Sequence, residues 1–544
     1  MFSGIRLRAM HLGKNFPALL TAVAIAFGLG CRKSEPPPPP SVVEVSPDTI
    51  ARVHWLGKGR LDLEADAYYL SRVWSLPETA RLQAQTFDRF STGAWRFLLG
   101  EAAAAQIPAA VLRPLLDDLA REEVYLEVRV PTNAKPSQAC FAIHVPALRA
   151  GIWETNLAIA SELLTGSLAV AEPARHGWTI QRTNAPNTIS LTRIGEWTVV
   201  GIGPEKNPLF AEITARILRD AAPLAGSPTN FWLEADLDPA RLAGVLGRAA
   251  TLPKNMPRVS FNVTGDGGNV IVHGQLTFGE PLPIQLEPWH IPLDLIHEPL
   301  IGFTAVRGIQ PWLASWKTWS DLQIGAPPDQ LYLWALEGSS FQTYLAVPLP
   351  DAGHQVSGLT DVLLQKGNPW LASRGYISLD RASDSNGATW GNLPTIRPFI
   401  KSAGVGADGW LFAGLLPDTG VADRRPPPAG MIQDILSRTN LVYYDWEITG
   451  PRVTSGLELG QTARQILRQA QMSLDSASLN WLGVLVPRLG TSATIVSLTA
   501  PNQLAFARKS TLGFTALELH LLADWLESPQ FPCGLHSMLA QPGN

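Results

Sequence analysis

The sequence has few charged residues and no excess of basic ones. Asp, Glu, Lys and Arg make up 17% of the 544 residues, against about 25% in ordinary globular proteins. Hydrophobic residues reach 46%, and the formal net charge is -4. A disordered, highly charged chain is therefore excluded, and the basic footprint of a nucleic-acid-binding protein is missing.

The sequence also lacks the short motifs of the commonest hydrolases and ATPases. It contains no G-x-S-x-G, S-x-x-K, H-E-x-x-H or Walker A string. Cys533 and His536 have a metal-like spacing, but a zinc site needs three or four ligands and no other Cys or His cluster supplies them, so we expect no metal and no cofactor. These absences disfavour an enzyme, although they leave room for a site that arose by convergence.

Residues 1–30 have the organisation of a secretory signal. Arg6, Arg8 and Lys14 form a basic start without any acid, and an apolar stretch covers 16–29. Those 14 residues are fewer than the 20 or so that span a hydrocarbon core as a helix. We therefore predict a signal peptide over 1–30, with a transmembrane helix as the weaker interpretation.

Cys31 comes directly after FGLG, and this junction resembles the lipobox of bacterial lipoproteins. In that family the cysteine is acylated and becomes the first mature residue. Gly28 stands where the family usually has Leu, and together with Gly30 it also suits an ordinary signal peptidase. Simple secretion and an uncleaved anchor are the alternatives. The resemblance covers residues 1–31 and implies attachment to a membrane through lipid.

The segment after Cys31 has the composition of a spacer. RKSEPPPPPSVVEVSP is polar and Pro-rich, and such segments favour polyproline II at about 3.1 Å per residue. Arg32 stands where Asp in the lipoprotein family favours inner-membrane retention, so the resemblance implies the periplasmic face of the outer membrane. Without residues 1–30 the chain has 40 basic and 47 acidic residues, a formal charge of -7, which argues against attraction to acidic lipid or nucleic acid.

Two cysteines remain if Cys31 is acylated. Cys140 and Cys533 can form a disulfide, because an exported compartment permits one. Two separate thiols are the alternative, since small buried cysteines are common.

The body of the chain predicts an α+β fold with antiparallel sheets, made of hairpins and meanders with packed helices. In VYLEVRV at 124–130, Val and Leu alternate with Tyr125 and Glu127, which predicts a half-buried strand with those two residues facing out. Hairpins are expected to turn at Gly195 and at 265–269.

Helix signals separate these strands. Asn207 followed by Pro208 predicts a capped helix start. Thr515 and Glu518 have the spacing of a capping box.

The composition divides the chain into a signal, a tether and three α+β units. Breaks in the pattern fall near 226–228 and at the RRPPPAG segment 424–430. The expected divisions are a signal peptide (1–30), a Pro-rich tether (31–46), an α+β domain (47–225), a second α+β domain with an internal repeat (226–423), a linker (424–430) and a C-terminal α+β module (431–544).

Three segments resemble one another loosely. FWLEADLDPARLAG at 231 and FTAVRGIQPWLASW at 303 both run from a strand-like stretch into Pro and a helix, and TNLVYYDWEITGPRV at 439 resembles TNFWLEADLDPARL at 229. Repeated strand-to-helix modules are one interpretation. Chance is the other, because this path is common.

Glu234, Asp236 and Asp238 are the most concentrated acids, and their spacing places them on one face of a strand. Such a group is compatible with a glycosidase carboxylate pair or with a calcium site. Leu233 and Leu237 alternate with them, so an exposed strand face is the preferred interpretation.

Trp312, Trp316 and Trp319 fall at i, i+4 and i+7, which would align them on one helix face. We expect them to pack in the core, since Trp buries a large apolar area. An exposed aromatic platform for a glycan, a peptide or an envelope partner is the alternative.

Together these features predict an exported, lipid-anchored protein of the bacterial envelope with a non-catalytic binding or structural role. Its expected partners are the membrane, through the lipid, and an unknown envelope ligand or protein. A glycan hydrolase that uses the acids near Asp236 and a carrier of apolar molecules are the alternatives.

Mass spectrometry of the amino terminus tests the anchor. We expect the mature chain to begin at Cys31 with acyl groups attached, and Cys31→Ala to move the protein from the membrane fraction to the soluble fraction. A mature chain that begins at another residue, or a Cys31 without acyl groups, would contradict the anchor.

Overall fold

The computed structural model describes residues 46–532, apart from 100–107, 132–135, 174–175, 182–186, 225–230, 246–254, 317–324, 374, 376–377, 383–386, 391–395, 405–408, 418–424, 467–475 and 530. The described residues form a mixed α+β protein. Twenty strands within them make one sheet.

The strands are numbered in chain order. They are β1 (Thr49–Trp55), β2 (Val124–Arg129), β3 (Gln138–His144), β4 (Val170–Glu172), β5 (Gly177–Gln181), β6 (Asn187–Ile194), β7 (Trp197–Pro204), β8 (Leu233–Leu237), β9 (Arg258–Gly265), β10 (Val270–Thr277), β11 (Leu300–Arg307), β12 (Gln330–Leu336), β13 (Thr343–Pro348), β14 (Asp380–Arg381), β15 (Ala388–Thr389), β16 (Phe399–Ala403), β17 (Trp410–Gly414), β18 (Leu441–Ile448), β19 (Thr491–Ala500) and β20 (Gln503–Ser510).

The α-helices are numbered in the same way. They are α1 (Lys58–Leu61), α2 (Tyr68–Trp74), α3 (Pro77–Leu99), α4 (Arg113–Arg121), α5 (Ala147–Thr165), α6 (Pro208–Asp220), α7 (Pro239–Val245), α8 (Gln310–Ser315), α9 (Ala352–Val362), α10 (Asn368–Ser373), α11 (Ala429–Leu436), α12 (Thr449–Ile466), α13 (Ala477–Leu485) and α14 (Ala516–Glu527). A π-helical turn, Leu363–Gly367, joins α9 to α10.

The strand order is the same in the two halves of the sheet. Neighbouring strands are antiparallel throughout, and the order is β4-β5-β6-β7-β3-β2-β1-β8-β9-β10-β20-β19-β18-β11-β12-β13-β17-β16-β15-β14. Strands β1 to β10 therefore occupy the same relative places in the first half as β11 to β20 in the second. The halves meet where β10 pairs with β20.

Helices cover both faces of the sheet in the first half. Helix α6 packs Leu209 and Ile213 against the face that carries Cys140 and Val199. Helix α5 packs Trp153 against the opposite face. The sheet is thus the middle layer of three at this place, and its strands are buried on both sides.

Because helices cover both faces of the sheet, the expectation that one face of β2 is exposed is wrong. Tyr125 and Glu127 were expected to face solvent, but they are 0% and 3% exposed, because α6 packs on their side of the sheet. Glu127 is paired inside this layer. Its carboxylate accepts hydrogen bonds from the Tyr125 hydroxyl at 2.6 Å and from Arg129 Nε at 2.7 Å.

The local turn and cap signals are confirmed. β6 and β7 form a hairpin with Gly195 at φ 60°, and β9 and β10 flank the turn at 266–269. The Asn207 side chain accepts a hydrogen bond from the backbone N–H of Phe210 at the start of α6. Thr515 and Glu518 form the capping box of α14.

Hydrogen-bonded strands lie on both sides of the boundary predicted near 226–228. β8 follows that boundary in the chain, yet it pairs with β1 along five residues, from Leu233 opposite Trp55 to Leu237 opposite Ala51. The domain limits stay predictions.

Two glycines allow a very close approach of neighbouring strands. A Cβ atom built on Gly177 would lie 1.9 Å from the carbonyl oxygen of Leu191, and one built on Gly387 would lie 1.8 Å from that of Ile400. We expect Gly177→Ala and Gly387→Ala each to lower the free energy of unfolding by about 2 to 3 kcal/mol, because backbone atoms must move apart. Urea denaturation measures this change.

Gly151→Ala is the matched control. Nothing lies within 4 Å of a Cβ atom at Gly151, which is inside α5, so this variant should gain about 0.5 to 1 kcal/mol. If Gly177→Ala or Gly387→Ala were as stable as the control, the close strand spacing would be wrong.

Candidate functional site

A cleft opens between the strands β6 and β7 and the helix α6. Its volume is about 710 Å³, within the range of roughly 300 to 1,000 Å³ typical of small-molecule sites. We call it the hydroxyl cleft and define it by the residues that line its walls and floor: Thr188, Ser190, Thr192, Gly201, Phe210 and Thr214.

The local sequence explains the hydroxyl groups. Thr188, Ser190 and Thr192 alternate along β6, so they point to the same face of the sheet. The residues between them, Ile189 and Leu191, pack in a hydrophobic cluster on the other face. One side of β6 therefore belongs to the core, and the other presents a row of hydroxyl side chains to the cleft.

The floor of the cleft depends on Gly201, which has no side chain. A Cβ atom on Gly201 would lie 2.5 Å from the ring of Phe210, so the absence of a side chain lets this ring rest on β7. Phe210 stands in the first turn of α6, where Asn207 Oδ1 accepts its backbone N–H at 3.1 Å. The cap and the glycine together set how closely α6 approaches the sheet.

The rim of the cleft carries more positive than negative charge. Arg193 and Lys206 line it together with a single acid among the described lining residues, Glu205. Within the described residues Lys206 forms no ion pair, and Arg193 Nε donates to the backbone oxygen of Gly195 at 3.2 Å. This local excess contrasts with the formal charge of -4 for the whole chain.

Asn207, at the start of α6, is also part of the lining. Its Nδ2 is buried and has no partner among the described residues. Hydroxyl and cationic groups are the side chains of this lining that can hold an anionic or polyhydroxylated molecule.

The three acids selected from the sequence lie outside this lining. Glu234 pairs with Arg52 at 2.6 Å, and Asp236 pairs with Arg258 at 2.6 Å. Both side chains lie on one face of β8, as the spacing predicts, but Asp236 is only 6% exposed, so the expected exposed strand face is wrong for this residue. Its arginine partner makes the burial tolerable.

Asp238 has a different role. It follows β8, and its Oδ1 accepts the backbone N–H of Arg241 at 3.0 Å, which caps the start of α7. The three carboxylates therefore do not form a free pair for acid-base chemistry or a shared ligand set.

The tryptophans do not pack as expected. Trp312 is 41% exposed and Trp316 is 61% exposed, so core packing is wrong for these two. The helix α8 ends at Ser315 and buries none of its residues, and Trp316 follows it in an extended conformation. Trp319 lies outside the described residues.

Of the cysteines, only Cys140 lies within the described residues. Its thiol is buried and unbridged there, and burial raises its pKa well above the ordinary value. Cys31 and Cys533 lie outside the described residues, so the acylation and the Cys140–Cys533 disulfide stay predictions.

A group of charged side chains is enclosed in the second half of the sheet, and the sequence analysis did not single it out. Arg508 on β20 and Glu518 on α14 are 2% and 3% exposed, and Arg508 Nη2 donates to Glu518 Oε1 at 2.7 Å. Beside them, Asp445 on β18 accepts a hydrogen bond from the Thr304 hydroxyl at 2.6 Å. The available signal was a pair of acids two apart inside the aromatic strand LVYYDWEI.

Glu447 is a member of this group whose pKa bears on the pH dependence of stability. Its Oε1 accepts the backbone N–H of Ala516 at 2.7 Å. Burial, and then the nearby charge of Asp445, raise the pKa of Glu447 to about 7. Burial also raises the pKa of Asp445.

The described residues contain neither a metal-binding cluster nor a membrane-spanning helix. No group of three or more His, Cys, Asp or Glu side chains there has the arrangement of a metal site. Across the same ranges, no helix combines the length and the apolar composition needed to cross a membrane.

The raised pKa of Glu447 predicts a pH-dependent stability. The folded protein binds this proton more tightly than the unfolded chain does, so the free energy of unfolding is highest below pH 4.5 and falls as the pH rises from about 4.5 to about 7. The full decline is about 3 kcal/mol. We expect Glu447→Gln to remove most of it, as measured by urea denaturation at a series of pH values.

Glu64→Gln is the control, because Glu64 is exposed. This variant should keep the pH profile of the wild type. If Glu447→Gln also kept that profile, the assignment of the raised pKa to Glu447 would be wrong.

Comparison with known proteins adds no family. No protein-family model matches the chain, and no curated protein matches it. A solved structure, crystal form III of TP0453, is similar over 43% of this chain and 78% of that chain, with 10% sequence identity and a TM-score of 0.22. A TM-score this low supports no conclusion about fold or function.

Proposed function

We propose that this protein is an exported, lipid-anchored binding protein of the bacterial envelope, and that the hydroxyl cleft is its ligand site. The observation that carries the proposal is the cationic rim of a cleft in a chain of negative formal charge. Such a rim concentrates anions locally although the whole protein repels them.

The ligand is a small molecule that carries an anionic group. Arg193 and Lys206 supply positive charge at the rim, and the row of hydroxyl groups on β6 offers both donors and acceptors. Phe210 and Leu218 add apolar surface to the same lining, which suits a ligand whose anionic group is attached to a less polar part.

Binding fits the geometry better than glycan hydrolysis. Most glycosidases need two carboxylates on either side of the bond to be cleaved, and Glu205 is the single carboxylate among the described lining residues. The alternative acids, Glu234 and Asp236, are each engaged by an arginine.

The sequence supports the cellular part of the proposal. Acylated Cys31 would hold the protein on the periplasmic face of the outer membrane, with the Pro-rich segment 31–46 as the tether. The membrane is then a partner through the lipid alone. An envelope ligand occupies the cleft.

The proposal also includes internal repetition, at a larger scale than strand-to-helix modules. The similar segments at 229 and 439 lead into β8 and β18, which hold matching places in the two halves of the sheet. The segment at 303 lies on β11, which holds the place of β1 instead. The resemblance between the segments at 229 and 439 thus agrees with the strand order, and the resemblance of the segment at 303 does not.

Titration with inorganic phosphate tests the ligand site. We expect saturable methyl chemical-shift changes at Ile194 and Leu218, which line the cleft, when the purified mature protein is titrated at constant ionic strength. Lys206→Ala should weaken the apparent affinity about three- to tenfold, since it removes one charge-assisted contact.

Lys366→Ala is the control for a general charge effect. Lys366 is exposed and lies outside the cleft lining, so this variant should bind phosphate as the wild type does. Absence of saturable changes, or an equal loss in the Lys366→Ala variant, would contradict the proposed site.

A further inference from the structure

We infer that the sheet consists of two diverged copies of one ten-stranded unit, and that the second copy has covered the counterpart of the hydroxyl cleft with aromatic rings. The first part rests on strand pairing, backbone conformation and the residues at matched positions. The statement about ligand binding rests on the proposed function.

The strand order is itself an unusual feature to find twice. In each half, one long connection places the seventh strand beside the third, and another places the eighth strand beside the first. Simple meanders pair consecutive strands, so the repetition of both long connections favours a common origin of the two halves.

An irregularity in the ladders recurs at the same place. The pairing of β1 with β2 shifts register between Thr49 and Ala51. The pairing of β11 with β12 shifts between Leu300 and Gly302. β1 and β11 hold equivalent places in the strand order, so the two shifts match Thr49 with Leu300.

The end of these strands supports the same match. Gly57 has φ 86° and Gly308 has φ 75°, and each lies eight residues after the first residue of its register shift. Both glycines adopt the left-handed region that side chains disfavour. A bulge and a turn therefore recur at the same spacing.

The match between β1 and β11 extends to the neighbouring strands through their cross-strand partners, one ladder at a time. A residue and its partner in the first half correspond to a residue and its partner in the second. Identical residues stand at five matched places: Tyr125 with Tyr332, Ala142 with Ala346, Trp197 with Trp410, Gly177 with Gly387, and Gly201 with Gly414.

One of these pairs shares an unusual contact. The Cβ position of Gly177 meets the carbonyl oxygen of Leu191, and that of Gly387 meets the carbonyl oxygen of Ile400. Leu191 and Ile400 are themselves matched by the ladders. The same close approach is thus made by the same residue type at both matched positions.

The copies differ where the cleft lies. Ser190 of the first copy corresponds to Phe399 of the second. In the first copy, Gly201 is covered by Phe210 of α6, whereas a Cβ atom on Gly414 would lie 2.7 Å from the ring of Tyr344 and 2.8 Å from that of Phe399.

The aromatic rings of the second copy form a continuous cluster. The rings of Phe399 and Phe412 lie 5.3 Å apart, and those of Tyr344 and Phe412 lie 5.6 Å apart. They occupy the sheet face that lines the cleft in the first copy. Ser190 is therefore the residue that keeps the first copy open.

Exchange of the two matched residues in the full chain tests this inference. We expect Ser190→Phe to be less destabilising than the same change on the opposite face of β6, because the second copy has a ring at the matched position, and to weaken phosphate binding at least tenfold. Phe399→Ser should lower the melting temperature by several degrees, since it removes a ring from the aromatic cluster.

Leu191→Phe is the matched control. It adds the same ring one residue away, on the buried opposite face of β6 where the matched residue is Ile400, and it should lower the melting temperature clearly. If Ser190→Phe were as destabilising as Leu191→Phe, positions 190 and 399 would not be equivalent and the inference would fail. A stable Ser190→Phe variant of a protein that never binds phosphate would support the duplication and reject the ligand site.

Discussion

The ladder between β10 and β20 is the contact on which the rest of the sheet depends. Eight pairs, from Val270 opposite Ser510 to Thr277 opposite Gln503, join strands that are more than 200 residues apart in the chain. Without this ladder each half would expose a full row of unpaired backbone groups at a long, flat edge. Because β10 and β20 are so distant in sequence, the ladder between them requires most of the chain to be in place.

The buried charges strengthen this junction from one side. Arg508 lies on β20 and Glu518 on the helix that follows it, so their ion pair ties the end of the chain to the strand that joins the halves. Isolated charges in such a place would be costly, and the pairing and hydrogen bonds offset that cost. The matched strands of the first half have apolar residues instead: Ala235 and Phe261 stand where the second half has Asp445 and Thr494.

The sequence predicts what is determined locally. The hairpin at Gly195, the cap at Asn207 and the capping box at Thr515 depend on residues within a few positions of one another, and all three are present. The α+β class follows from the same signals. Periodicity could not reveal that Tyr125 is covered, because that depends on a helix more than 80 residues later in the chain.

The candidate site also has one part that the local sequence predicts and one that depends on distant residues. The alternation of hydroxyl residues along β6 is visible in the sequence, whereas the cleft exists because Gly201 lets Phe210 rest on the sheet. Trp312 was expected in the core because Trp buries a large apolar area, but the helix that carries it buries none of its residues and ends at Ser315. Spacing places side chains on one helix face but does not determine whether that face is covered.

The outermost strands among the described residues have a consequence for a protein held at a membrane surface, as proposed. β4 has three residues and β14 has two, so the strands at both edges of this wide sheet are short. A short edge offers few backbone groups to a neighbouring molecule. Crowding on a two-dimensional surface favours the association of neighbouring copies through their sheet edges. Short edge strands keep such copies from joining into fibres.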